Sequence, residues 1–244
     1  MNRLASFLAE KFIAADASSA AKALESLATH EILLVIGSQK ASVLVACLNK
    51  MDTAKAAAVL RRLPLKQACY VLTHLEVDQS ARIWKEFSAP YQERLKGVLE
   101  APFVQLISGV EKYPIGAVAR KMQTDFVSVR TETKVSALVE QLKNLPRKKI
   151  PQLCFVTSKN GELKGIIRTA ELAFYGGESV CGSVMSRCEA ACVADPIEKI
   201  RARMEQAELA ALPVVNEQQI LLGFVEKADL FMDEKTSFWQ RFTK

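Results

Sequence analysis

"LLGFVEKADL" (residues 221–230) echoes "LKGIIRTAEL" (residues 163–172), 58 positions earlier in the chain. Each phrase runs Leu-x-Gly, two apolar residues, a polar pair, Ala, an acid and Leu. The echo extends toward the N-terminus. "MQTDFVSV" (122–129) answers "MSRCEAACV" (185–193), each a Met-led approach to a β-like run. "TKVSALVEQLKNL" (133–145) answers "DPIEKIRARMEQA" (195–207), two amphipathic helices, the second started by Asp195-Pro196. "LCFVTSKNGELKGII" answers "ALPVVNEQQILLGFV", two short apolar strands across a polar turn. The offset is 63 at the Met and 58 at the Gly, so the first copy holds five extra residues around "LPRKKIPQ". Each copy therefore reads strand, helix, strand, strand, helix. At about 60 residues neither closes a sufficient core alone, and two packed together do.

The first half follows another rule. From about residue 40 it is helical with a period of 12: Leu48, Leu60, Leu72 and Trp84 recur at that spacing, and so do Met51, Leu63, Leu75 and Phe87. Small residues fall at Ala56, Ala68 and Ser80. Asp52, Pro64 and Ser88 supply turns or caps after the apolar pairs, and the unit at Glu76 is expected to delay its turn to Asp78. A helix this short is unstable by itself, so the units must stack into a superhelical array whose surface serves contact. "EKYPIGAVARKM" breaks the period with Pro114 and Gly116, and the boundary is placed there.

Composition narrows the function classes. The chain of 244 residues is 50% hydrophobic and carries a formal charge of +6. That charge divides evenly between the halves, and its densest basic run, Arg147–Lys149, has no interleaved aromatics, so nucleic acid is not the expected partner. No apolar run approaches the roughly 18 residues of a membrane span, and Glu10 and Lys11 interrupt any secretory segment. The expectation is a cytoplasmic protein with six reduced, dispersed cysteines. Two distant histidines, no G-x-S-x-G and no P-loop leave no catalytic constellation, and no enzyme is expected.

The duplicated pattern, with "ALPVVNEQQILLGFVEKADL" as its fullest form, resembles a tandem pair of cystathionine-β-synthase (CBS) domains. The helical half, with the junction "YPIGAVARKMQTDFVSV", resembles the superhelical domain preceding the CBS pair in MgtE-type magnesium transporters. The resemblance covers roughly residues 30–233, and the transporter's membrane domain has no counterpart here. It implies an α+β chain: a helical superhelix over residues 1–112, CBS domains over 113–180 and 181–233, and a tail over 234–244.

The resemblance also implies ligands. In nucleotide-binding CBS domains a hydroxyl and a helix N-terminus face phosphate, and an acid three residues later holds ribose. Here the hydroxyl positions are Arg168 and Glu226, and the acid positions are Glu171 and Asp229. Pro213 and Val214 of the L-P-V-V run belong to the same implied adenine-nucleotide site. Glu226 sets an anion where phosphate belongs, and Glu171 is one methylene longer than the usual Asp. Read another way, Glu226, Asp229 and Asp233 share one helix face and suit Mg²⁺, which takes oxygen ligands. A solvated acidic face is the plainer alternative. The expected function is a regulatory module sensing Mg²⁺ or an adenine nucleotide, homodimeric through the CBS pair, with a protein partner on the helical domain. The competing expectation is a ligand-independent scaffold.

Overall fold

The computed structural model describes residues 10–37, 39–147 and 150–230. The chain divides into two units, Met1–Lys112 and Tyr113–Lys244.

In the first unit, helical residues 10–15 lead into α1 (Ala17–Glu25), α2 (Thr29–Ile36), α3 (Ala41–Lys50) and α4 (Thr53–Leu60). There follow α5 (Leu65–His74), α6 (Val77–Lys85), α7 (Ala89–Lys96) and α8 (Ala101–Gly109). Their N-caps are Asp16, Ala28, Lys40, Asp52, Pro64, Glu76, Ser88 and Glu100, an unbroken spacing of 12. The repeat thus reaches further in both directions than the apolar pattern from residue 40 suggested. Glu76 itself is the cap, which corrects the expected delay to Asp78. The fully buried Leu48, Leu60 and Leu72 fill the shared interior. α1 packs on α3 and α3 on α5, while α2 packs on α4, α4 on α6 and α6 on α8. Two interleaved rows result.

Hydrogen bonds cross this array with the same periodicity. Asp52 N–H donates to Glu25 Oε1 at 2.6 Å, and 24 residues later Glu76 N–H donates to Asn49 Oδ1 at 2.8 Å. Lys55 Nζ donates to Leu27 O at 2.8 Å, and Gln79 Nε2 donates to Met51 O at 2.9 Å and Leu48 O at 3.1 Å. The first amides and last carbonyls of a helix have no partner within it. Here a neighbouring repeat supplies one.

The second unit holds two three-stranded sheets of one design. β1 (Ser128–Arg130) runs parallel to β2 (Leu153–Thr157), which pairs antiparallel with β3 (Leu163–Arg168). β4 (Ala191–Cys192), β5 (Ala211–Val215) and β6 (Leu221–Glu226) repeat that order. Each sheet carries a register shift at the same place, Val156/Thr157 and Val214/Val215. Helices α9 (Val135–Lys143) and α11 (Ile197–Gln206) supply the crossovers, and between them the short helix α10 (Cys181–Val184) leads toward β4. Nine residues join α9 to β2 and four join α11 to β5, which locates the five extra residues. The closing element of the first copy is a 3₁₀ segment, Thr169–Phe174, where the repeat predicted an α-helix. In the second copy residues 227–230 are helical. In the first copy Val129, Leu138, Val156 and Ile167 centre the core, with Cys154 and Cys181 among them.

The two copies complete each other. Gln123, ahead of the first copy, pairs with Phe224 of the second: each N–H donates to the other's carbonyl, at 2.8 and 3.0 Å. Ser186, ahead of the second copy, does the same with Ile166 of the first, both at 2.9 Å. The turns also interlock, Leu163 N–H to Gln219 O and Leu221 N–H to Gly161 O. This explains the glycine of the repeated phrase. A Cβ on Gly165 would stand 2.5 Å from Ser186 O and 3.1 Å from Met185 Sδ, and one on Gly223 would meet Gln123 O and Met122 Sδ still more closely. Only a residue without a side chain lets the other copy's Met-led segment approach.

Candidate functional site

A cavity of about 720 Å³ opens where the ends of the two sheets converge. It is lined by residues 125–126, by 151–153 at the start of β2, and by 168–170 after β3. The second copy adds 208–211 at the start of β5, then Phe224, Glu226 and Ala228. Both strand ends of the repeated phrase, at Arg168 and Glu226, therefore face one cavity. Its size falls within the range of small-molecule sites.

Three phenylalanines form its apolar side. Phe155 is 2% exposed and stands between Phe126, edge-on with centroids 5.7 Å apart, and Phe224, tilted at 5.8 Å. Sequence reasoning passed over all three, because an aromatic in an apolar strand reads as core. One signal was there: Phe155 occupies the place that Pro213 takes in the second copy, as the strand registers Phe155↔Ile166 and Pro213↔Phe224 show. Phe155 reaches the cavity, whereas Pro213 and Val214 are buried in β5 and do not line it.

The polar rim departs from a phosphate cradle. Arg168 Nη1 lies 3.0 Å from Glu171 Oε1, and the other Glu171 oxygen accepts from Tyr175 Oη at 3.4 Å. Thr169 Oγ1 donates to Pro151 O at 2.6 Å. Asp125, Glu208 and Glu226 line the same cavity. Partial burial, with the nearby charge of Asp229, raises the Glu226 carboxyl above its ordinary pKa. Glu208 adopts φ 51°, the left-handed conformation that usually ends a helix with Gly or Asn, just past α11. Asp229 accepts from Gln123 Nε2 and is exposed.

The residues proposed for Mg²⁺ are only partly visible. Glu226 and Asp229 are near each other, and Asp233 lies outside the described residues. Among the described residues no group of three or more His, Cys, Asp or Glu could hold a metal ion. The six cysteines are free; burial pushes the Cys47 thiol up to about 11. No described helix is long and apolar enough to cross a membrane.

Residues 115–176 and 181–233 match the CBS domain family. No curated protein sequence matches the chain. The cytosolic domain of the Mg²⁺ channel MgtE in complex with ATP is similar in fold: TM-score 0.51 at 21% identity, covering 94% of this chain and 99% of that one. The soluble part of a magnesium transporter gives 0.53 at 16% identity, covering 96% and 97%. Both likenesses span the helical N-terminal unit and the two sheet-bearing copies, and show a shared α+β fold.

Proposed function

With a CBS domain pair as the premise, we propose that the chain is a regulatory, non-catalytic module of the MgtE-cytosolic type, located in the cytoplasm. In this reading the CBS pair senses an adenine nucleotide or Mg²⁺, and the helical array passes the state to a partner protein. One observation carries the proposal: a cavity of about 720 Å³ lined by Phe126, Phe155 and Phe224 and built from both copies of the repeat. A ligand that touches both copies changes how firmly they hold each other, which is the physical requirement for a sensor. The Mg²⁺ arm rests on Glu226 and Asp229, with Asp233 beyond the described residues.

Melting curves test both arms. A ligand at about 100-fold over its dissociation constant adds about 2.7 kcal/mol to the bound fold. An adenine compound, or millimolar Mg²⁺, is expected to raise the melting temperature above that in NaCl of matched ionic strength. Asp229→Asn combined with Asp233→Asn should remove the Mg²⁺ shift. The second reading, a ligand-independent scaffold, is favoured by the Arg168–Glu171 ion pair, which occupies the guanidinium that phosphate would need. It takes first place if every additive shifts the melt no more than NaCl does.

We further propose a homodimer through the CBS pair. Phe174 is 85% exposed and Val180 41% exposed in the second unit, apolar side chains that a two-fold contact would cover. Light scattering should give twice the chain mass of 27.0 kDa; a value equal to it would end this proposal.

A further inference from the structure

Building on the reading that this cavity holds an adenine compound, we infer that it selects an unphosphorylated nucleoside over nucleotides. The apolar side suits a planar base, since Phe126 and Phe224 flank Phe155 at centroid distances below 6 Å. The rim is where the chemistry turns. Among the described lining residues Arg168 is the only cation, and its guanidinium already faces Glu171 at 3.0 Å. Thr169, the neighbouring hydroxyl, spends its proton on Pro151 O. Three lining residues are acids: Asp125, Glu208 and Glu226.

Glu226 stands at the strand end where a phosphate would have to be held, in a cavity whose lining carries three carboxylates against one paired guanidinium. At about 7 Å each like-charge pair weakens binding by roughly 3-fold under the screening of bulk water and roughly 50-fold under that typical near a protein surface. Ribose hydroxyls face no such penalty, because carboxylates accept hydrogen bonds from them. The acids that repel phosphate therefore hold sugar.

Calorimetry on the full chain, metal-free and at low ionic strength, separates the outcomes with adenosine, AMP and ATP as probes. Adenosine is expected to bind tightest, AMP about tenfold more weakly, and ATP more weakly again. Glu226→Gln should narrow the gap between adenosine and AMP severalfold, because it removes the charge and keeps an oxygen that accepts from ribose. Phe126→Ala should weaken all three probes alike; unchanged affinities would put the binding elsewhere and overturn the inference. AMP or ATP binding as tightly as adenosine would overturn it too, leaving the sensory reading intact and turning attention to the basic run Arg147–Lys149. If none of the three binds, the inference and the nucleotide arm of that reading fall together.

Discussion

Replacing Gly223 with alanine is expected to cost the C-terminal unit about 3 kcal/mol, the upper end for forcing extra atoms into a packed interior. The added methyl would meet the Gln123 carbonyl and Met122 Sδ, and the carbonyl is backbone, unable to swing aside. Relief requires the 122–124 segment to withdraw, which loses the paired hydrogen bonds between Gln123 and Phe224. Gly165→Ala is expected to cost nearly as much, against Ser186 O at 2.5 Å. Gly97→Ala is the control: it follows α7 with φ −66°, its nearest obstacle is at 3.5 Å, and it should change stability by less than about 1 kcal/mol. Denaturant midpoints measure all three. A Gly223→Ala midpoint equal to that of Gly97→Ala would show that the copies do not depend on this approach.

In the helical unit the largest effect is expected at Gln79. Its amide, on a residue only 3% exposed, donates to the carbonyls of both Leu48 and Met51. Gln79→Leu keeps the bulk and strands two buried acceptors, each costing about 1–3 kcal/mol, so a loss of about 3 kcal/mol is expected. Lys55 does the same work 24 residues earlier, toward Leu27 O, but is half-exposed. Water can replace its donor, and Lys55→Met should cost below about 1 kcal/mol. Urea titrations of the two variants read the contrast. Equal losses would mean that burial does not set the magnitude.

The period of 12 was legible from residue 48 onward because an apolar residue stood at every expected place. It was hidden earlier by Gln39, buried and polar where Leu27, Met51, Leu63 and Leu75 are apolar. The cap at Glu76 was missed for a different reason: its side chain makes no cap bond, and Asn49 from a preceding repeat accepts its N–H instead. A bond across repeats leaves no local trace. The CBS pattern was legible because the glycines and the acid-Leu endings recur in register. The cavity was less so. Arg168 and Glu226 were marked as departures from the phosphate pattern, and both line it. That they share one cavity with Phe126, Phe155 and Phe224 depends on how two sheets meet, which no spacing within one copy encodes.

The exchange of segments between the copies has a consequence for synthesis on the ribosome. Gln123 leaves the exit tunnel early, yet its hydrogen-bond partner Phe224 is made 101 residues later. Closing so long a loop delays the pairing and holds the unit's folding back until β6 has been translated. The first copy waits less, since Ser186 follows Ile166 by only 20 residues. For most of its vectorial emergence, then, the second sheet has its cover already waiting outside the tunnel, and β6, the last of the described strands, is the one that closes it.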